Sequence, residues 1–375
     1  MPGDPSAWHP RYVLSPAVVR SLLEVEAARA IVDHTPVPPG AAEELRRRAR
    51  LRSTHYSTRI EGNRLTLAEA EAAIQGDRVR FHGRERDVHE VRNYWQALLR
   101  VEEWAARGAP LTEDLIRRLH GLIERGQRAR PTPYREGQNV IRDSETGELV
   151  YLPPEARDVP SLMEALVDWV RNAEAEGLPV PVVAGLAHYQ FVTIHPYYDG
   201  NGRTGRLLAT FLLHRGGYGL QGFFSLEEHH ARDLAAYYNS LAAHPHHNYY
   251  EGRDQADLTP WLEYFLQTLA TVFTAAKEEA LGAAKQGLFV EPDAVRRLDP
   301  RARVVLGLFV RQERITTREV ASALGLSDRM ARILLQEWVG DGWIEVAQAS
   351  RRARAYQLSA KYRQFIGSLS AAISE

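Results

Sequence analysis

The sequence predicts a mainly α-helical protein that carries one short β-hairpin and ends in a helix-turn-helix followed by a two-stranded wing. Three observations favour this fold class. Apolar residues recur at helical spacing along most of the chain. Strand-like alternation is confined to the neighbourhood of residue 145 and to the C-terminal region. Basic residues outnumber acidic ones over 296–363, which indicates a distinct C-terminal domain.

Nine amphipathic stretches carry the helical prediction. They are residues 41–59, 66–76, 86–106, 112–125, 160–176, 181–194, 203–215, 228–243 and 257–285. Gly287, Pro292 and Pro300 indicate a junction between domains over 285–300. The predicted organisation is an N-terminal helical region at 1–110, a core at 111–225, a helical extension at 226–290 and a C-terminal domain at 291–375.

Composition narrows the class of protein. The chain has 375 residues, a net charge of −1 and no cysteine, which excludes disulfides, thiolate catalysis and zinc–cysteine sites. Its start lacks the basic-then-apolar pattern of a signal peptide, and no apolar run approaches the ~20 residues of a membrane-spanning helix. We therefore expect a cytoplasmic protein with no membrane partner.

Residues 195–206 read His-Pro-Tyr-Tyr-Asp-Gly-Asn-Gly-Arg-Thr-Gly-Arg and combine the parts of a phosphate site. The glycine-rich loop lets backbone N–H groups turn toward a phosphate, and it opens into an apolar helix whose N-terminus favours an anion. Arg203 and Arg206 share one face of the first turn, where guanidinium groups suit phosphate oxygens. Asp199 is a hard oxygen ligand suited to magnesium, and His195 can accept a proton from a hydroxyl. The stretch predicts a site that holds a nucleoside triphosphate and attacks it with a hydroxyl.

This stretch resembles the signature of the Fic family, His-x-Phe-x-Asp/Glu-Gly-Asn-Gly-Arg-x-x-Arg, except that Tyr197 stands where the family usually has Phe. The resemblance implies the family's helical core with a β-hairpin flap, and transfer of AMP from ATP to a Tyr, Ser or Thr hydroxyl of a protein, with release of pyrophosphate. It implies that His195 is the general base, that Asp199 holds Mg²⁺ and that Arg206 grips the terminal phosphate. The other positions of the nucleotide site are Gly200, Asn201, Gly202, Arg203, Thr204 and Gly205.

A second motif, Ser57-Thr58-Arg59-Ile60-Glu61-Gly62-Asn63, resembles the family's inhibitory signature. Ser57 and Glu61 are four residues apart and therefore share one helix face, and Gly62 is a natural helix stop. A Glu61 carboxylate paired with Arg206 would occupy the place of the γ-phosphate. The N-terminal position of the motif implies inhibition within the same chain.

Two further elements are assigned on this resemblance. A hairpin is predicted around a turn at 143–148, with Leu149–Leu152 as its second strand and a first strand of Asn139, Val140, Ile141 and Arg142. In the family such a flap holds the target's modified segment by backbone pairing. Tyr237 and Tyr238 resemble the family's helix beside the adenine, where they would stack on or hydrogen-bond to the nucleoside.

The C-terminal region is similar to a winged helix-turn-helix, in which one helix enters the major groove of DNA and the wing touches the backbone. The second predicted helix, Asp328–Val339, presents Arg329 and Arg332, and the wing carries Arg351 and Arg352. This basic excess favours DNA as a partner. A module for dimerisation or target docking is the alternative, since the fold serves both roles.

Two classes of function follow. The first is an autoinhibited protein adenylyltransferase that uses ATP and Mg²⁺ and modifies a protein target or itself. The second is a DNA-binding regulator whose nucleotide site only senses ATP. The first class includes two alternatives: the enzyme removes AMP with water that Glu61 activates, or it uses another nucleotide donor. A homodimer is a further possible partner state.

Overall fold

The computed structural model describes residues 8–76, 83–126, 130–142, 146–242, 247–287, 298–310, 312–348, 354–360 and 362–363. The chain divides into two compact units, Met1–Ala283 and Ala284–Glu375. Within the described residues, no helix combines the length and the apolar character needed to span a bilayer.

The first unit is helical apart from one hairpin, which confirms the mainly α-helical class. Its helices are α1 (Pro16–His34), α2 (Pro39–Ile60), α3 (Leu67–Gln75), α4 (Glu85–Ala106), α5 (Glu113–Arg125), α6 (Val159–Ala175), α7 (Val180–Ile194), α8 (Asn201–Arg215), α9 (Leu226–Arg232), α10 (Leu234–Leu241) and α11 (Thr259–Gly287). The hairpin pairs β1 (Ile141–Arg142) with β2 (Leu149–Tyr151) in antiparallel register.

Two elements depart from the predicted helices. Helix α1 lies outside all nine amphipathic stretches because its apolar residues occupy both faces: Val25 is buried, whereas Leu23 is 67% exposed. The stretch predicted at 228–243 is two helices, because Asp233 leaves the helical conformation with φ −134° and ψ 76°. Its carboxylate then accepts a hydrogen bond from the backbone N–H of Ala236 (2.9 Å) and caps α10.

One continuous hydrophobic core extends through the first unit from Trp8 to Ala280. Helix α7 lies inside this core, and α11 packs closely against it at Gly185, where a Cβ would come within 2.7 Å of the Phe265 ring. Trp261 of α11 donates its indole N–H to the carbonyl of Gly185 (2.8 Å). Residues of the regions predicted at 1–110, 111–225 and 226–290 all contribute to this core, and a smaller cluster lies within the first region, at Leu51, Leu65, Ala70, Ala73, Val88 and Val91.

The second unit has a core of its own, built around Trp338 and Trp343. Its elements are α12 (Pro300–Leu306), β3 (Ile315–Thr316), α13 (Thr317–Leu324), α14 (Asp328–Gly340), β4 (Ile344–Gln348) and β5 (Ala355–Leu358). Helices α13 and α14 meet at Gly325, which has φ +63°, and the strands form an antiparallel sheet in the order β3-β5-β4. A helix-turn-helix followed by two strands is thus present, with β3 as an additional third strand.

Candidate active site

The predicted phosphate loop connects α7 to α8 and is tied together by its own side chains. The backbone is left-handed at His195 (φ 52°) and at Gly200 (φ 74°), so the chain reverses between the two helices. Asn201 accepts a hydrogen bond from the backbone N–H of Tyr197 (3.0 Å) and donates one to its carbonyl (2.8 Å). Thr204 donates its hydroxyl to the carbonyl of Gly200 (2.8 Å). These bonds fix the loop without any contribution from a ligand.

His195 is arranged as a proton acceptor. Its Nδ1 lies 3.2 Å from the carbonyl oxygen of Val192, and because a carbonyl can only accept, the proton belongs on Nδ1. Nε2 therefore carries the free lone pair. Burial lowers the pKa of His195 to about 4, so the ring is neutral at physiological pH.

Asp199 carries the one carboxylate of residues 195–206, and 56% of its side chain is exposed. Its Oδ1 accepts a hydrogen bond from the N–H of Gly200 (2.6 Å), and its Oδ2 faces Nη2 of Arg86 (3.4 Å). Among the described residues no group of three or more His, Cys, Asp or Glu side chains could hold a metal. A single open carboxylate beside a phosphate loop fits Mg²⁺, which proteins bind through one or two carboxylates together with substrate phosphates.

Helix α5 supports this loop through two residues that the Fic signature does not contain. His120 donates its Nε2–H to the backbone carbonyl of Asp199 (2.9 Å), and its ring stacks on Tyr197 with centroids 3.6 Å apart. Glu124 pairs with the buried Arg203 (3.0 Å). Their spacing of four residues on an amphipathic helix was the only signal in the sequence, and it does not distinguish them from ordinary core and surface residues.

Arg206 lies at the opposite end of the loop, where it is buried and hydrogen-bonded to residues of α2 and its C-cap. Its Nε donates to the hydroxyl of Ser57 (2.9 Å), and its Nη2 donates to the Ser57 carbonyl (2.9 Å) and to Oε1 of Glu61 (2.8 Å). Burial alone would lower the pKa of Arg206, but the Glu61 carboxylate together with Tyr237 and Tyr94 outweighs it and raises the pKa. The structure therefore brings together the three residues of the predicted inhibitory contact.

Glu61 reaches this position because α2 ends there. It is the C-cap residue that follows Ile60, and Gly62 comes next with φ +92°, a conformation that glycine adopts without strain. Its carboxylate rests on Gly202, where any Cβ would overlap Oε1. Glycine at position 202 thus allows the carboxylate to lie against the start of α8.

Ser57 and Arg206 also belong to a buried polar cluster that the motifs do not include. Tyr94 of α4 donates its hydroxyl to Glu227 of α9 (3.0 Å), and both side chains are buried. Ser57 lies within hydrogen-bonding reach of Tyr94 and Arg206. Four helices therefore meet at the paired arginine.

The predicted flap is present, and its base is fixed to the phosphate loop. Arg135 donates its Nε–H to the carbonyl of His195 (3.0 Å) and its backbone N–H to that of Pro196 (2.9 Å). Asn139 donates to the carbonyl of Tyr197 (3.2 Å), whereas Val140 is 38% exposed. Pairing is limited to Ile141–Arg142 with Leu149–Tyr151, shorter than predicted, and residues 143–145 of the turn lie outside the described residues. Arg135 is a positioning residue that no motif revealed.

The two tyrosines of α10 lie in different environments. Tyr237 is 1% exposed, its hydroxyl lies 3.0 Å from Nε2 of His188, and its ring stacks on His230. This places Tyr237 in the core, where no ligand could stack on it without a rearrangement. Tyr238 is 47% exposed. Partial burial is the main cause of its raised pKa, and the negative charge of nearby Glu61 raises the pKa further. A contact with the nucleoside stays a prediction, and Tyr238 alone offers an open ring surface for it.

Tyr197 lacks the partner that its hydroxyl would need in the core. The residue is 2% exposed, and its hydroxyl oxygen has no hydrogen bond within the described part of the chain. The neighbouring Tyr134 hydroxyl instead donates to Glu113 (2.7 Å). The ring thus fills the space that the family gives to Phe while its hydroxyl remains unsatisfied.

The arginines predicted to bind DNA are partly described. Arg329 and Arg332 are exposed on α14 and make no ion pair with any described residue. Met330 and Ile333 lie beside them, 47% and 51% exposed. Arg351 and Arg352 lie outside the described residues.

Comparison with known proteins relates this part of the chain to one family. Residues 110–213 match the model of the Fic/DOC family. A protein adenylyltransferase Fic of Drosophila willistoni is 30% identical over 207 residues, which cover 53% of this chain and 39% of that protein. That of Drosophila melanogaster is 30% identical over 187 residues, 48% of this chain and 35% of that protein. The chain spans about two fifths of the length of these curated relatives.

Two solved structures share the fold. A Fic family protein from Desulfovibrio desulfuricans G20 is 28% identical with a TM-score of 0.57, and the match covers 94% of this chain and 99% of that one. A Fic-domain-containing signalling protein from Bacteroides thetaiotaomicron VPI-5482 is 26% identical with a TM-score of 0.60, covering 71% of this chain and 97% of the other.

Proposed function

We propose that this chain, which carries a Fic/DOC domain at residues 110–213, is a protein adenylyltransferase that Glu61 holds inactive. The observation that carries the proposal is the arrangement of the two loop ends. A neutral His195 with a free Nε2 stands at one end, and an arginine already paired with a carboxylate stands at the other. The first is a base for a hydroxyl, and the second is a site for an anion.

The reaction follows from the chemistry of these groups. Nε2 of His195 takes the proton of a target hydroxyl as that oxygen forms a bond to the α-phosphorus of ATP. The bond between the α-phosphorus and the bridging oxygen breaks, and pyrophosphate leaves with its electron pair. Arg203, Arg206 and the free N–H groups at the start of α8 stabilise the phosphate charge. Mg²⁺ held by Asp199 would neutralise further charge on the phosphates.

Inhibition follows from the occupied arginine. Arg206 can grip a phosphate only if Glu61 releases it, because the carboxylate and the phosphate compete for the same guanidinium. A triphosphate entering the inhibited protein would also meet the negative charge of Glu61 against Gly202. Both effects disfavour productive ATP binding in this state.

Intact-mass spectrometry of the Glu61→Gly protein with ATP and Mg²⁺ tests the proposal. We expect an added mass of one AMP per modified site, little or none in the unaltered protein, and none when His195→Ala is added. Equal amounts of AMP adduct in the unaltered and Glu61→Gly proteins would contradict the inhibitory role of Glu61. Adduct formation from a different nucleotide would change the donor, and loss of a preformed adduct that requires Glu61 would favour removal of AMP.

DNA binding by the second unit is a second candidate function, favoured by one observation. The exposed face of α14 combines Arg329 and Arg332 with Met330 and Ile333. Unpaired arginines suit phosphates and guanine edges, and exposed apolar side chains suit thymine methyl groups. On this proposal the nucleotide site would sense ATP while α14 binds DNA.

Salt-dependent binding to duplex DNA tests this candidate. Replacing Arg329 and Arg332 together by Ala should weaken binding and reduce the slope of log affinity against log salt by ~1.8, the value for two lost phosphate contacts. Arg301→Ala, at an arginine that pairs with Asp299, is the matched control. Binding that does not respond to salt, or that both variants weaken equally, would argue for a protein-docking surface instead.

A further inference from the structure

Glu124 is a charged residue of the site that lies outside the Fic signature. It extends from α5, and its Oε1 is 3.0 Å from Nη2 of Arg203. It also lies directly against the loop backbone, since a Cβ on Gly200 would come within 2.6 Å of the same oxygen. Its side chain is 27% exposed, so water screens the contact only in part. Glu124 thus touches the phosphate loop at two points.

Arg203 is shared between two carboxylates. The Nη2 group that Glu124 accepts from also lies 3.3 Å from Oδ1 of Asp199. The Arg203 side chain is only 3% exposed, so its charge must be matched by neighbours rather than by water. If Glu124 were lost, Asp199 would be the one carboxylate left in contact with Arg203 among the described residues.

The backbone of Asp199 is already fixed from the same helix. His120 donates to its carbonyl oxygen (2.9 Å), so the carboxylate group is the part of Asp199 that can change partner. That carboxylate is also the group suited to Mg²⁺, and it cannot serve a metal and a closely paired arginine equally well.

We propose that Glu124 is a positioning residue that holds Arg203 and thereby leaves the Asp199 carboxylate available to Mg²⁺. The inference rests on the proposed function, because the ATP–Mg²⁺ complex is the ligand that needs Asp199. It assigns a role to a carboxylate on α5 that is 75 residues before Asp199 in the chain.

The test measures ATP affinity with and without the metal. The 375-residue Glu61→Gly, His195→Ala protein offers an open site that does not consume ATP. Calorimetric titration with ATP, once in EDTA and once in excess Mg²⁺, gives the factor by which Mg²⁺ tightens binding. Glu124→Gln should reduce this factor by about tenfold, the loss expected for one charge-assisted contact. Asp114→Asn removes one charge from the exposed side of the same helix and should leave the factor unchanged.

A second variant and the parent protein decide the remaining outcomes. Glu124→Asp keeps the charge and should retain most of the Mg²⁺ factor; a loss as large as that of Glu124→Gln would show that packing, not charge, matters and would overturn the inference. Equal factors for Glu124→Gln and Asp114→Asn would also overturn it while the proposed function stands. Failure of the parent to bind ATP in either condition would overturn both.

Discussion

The two ends of the phosphate loop differ in how their polar side chains are paired: Arg206 lies at one end, and His195 and Asp199 lie toward the other. Arg206 has 2% of its side chain exposed and gives its hydrogen bonds to Ser57 and Glu61, whereas Asp199 is 56% exposed and His195 keeps a free Nε2. The Glu61 carboxylate, just after α2, is hydrogen-bonded at the arginine end. On the proposed function, inhibition therefore removes the place of the terminal phosphate and leaves the base and the metal ligand intact.

Replacing Arg206 should have the largest effect on this comparison. Arg206→Ala removes three hydrogen bonds between α8 and α2 at a fully buried position, and we expect the free energy of unfolding to fall by about 3 kcal/mol. Urea denaturation measures the change. Arg118→Ala, at an exposed arginine that pairs with Asp114, is the control and should cost less than about 1 kcal/mol. Similar losses in both variants would contradict a distinct structural role for the arginine.

The pH dependence of AMP transfer tests the His195 end of the loop. Because burial lowers the pKa of His195 to about 4, AMP transfer by the Glu61→Gly protein should change less than twofold between pH 5.5 and 7.5 and fall as the pH drops through 4. With a histidine of ordinary pKa near 6.5, AMP transfer would fall about tenfold from pH 7.5 to 5.5.

The lowered pKa of His195 also affects the stability of the protein at acid pH. The unfolded chain takes up the proton first, so stability is lost as the pH falls below 6.5 toward 4.

A smaller effect is expected at Ser57. Ser57→Ala leaves the Arg206 Nε–H without its hydroxyl acceptor, which should lower the free energy of unfolding by about 1–3 kcal/mol. The Glu61 contact remains, so AMP adduct should stay below that of Glu61→Gly. Ser53→Ala, at another buried serine of α2, is the matched control. Adduct equal to that of Glu61→Gly would mean that Ser57, not Glu61, governs inhibition.

The smallest effect is expected at Tyr197, two residues after His195. Tyr197→Phe removes an unpaired buried hydroxyl, so the free energy of unfolding should stay unchanged or rise by about 1 kcal/mol, with AMP transfer unaffected. Tyr134→Phe breaks the hydrogen bond to Glu113 and should instead lower it by about 1 kcal/mol. A clear loss for Tyr197→Phe would indicate a partner for that hydroxyl, such as water.

Helical periodicity predicted α2 to α8 and α11 closely, because apolar residues recur at helical spacing along each of them, although α7 and α8 are buried on almost every face. It gave no signal for α1, whose apolar residues face both ways, nor for the break at Asp233, where a capping carboxylate interrupts an otherwise continuous pattern. Sequence spacing does not report whether neighbouring helices share their buried faces.

The sequence by itself determined which chemical groups residues 195–206 bring together and that Ser57 and Glu61 share one helix face, because these residues are close along the chain and their backbone geometry is local. Only the tertiary structure decided that Glu61 meets Arg206, and that His120, Glu124 and Arg135 support the loop. Those contacts join residues at least 60 positions apart. They depend on how α2, α5 and the flap pack around one core, which local patterns do not encode.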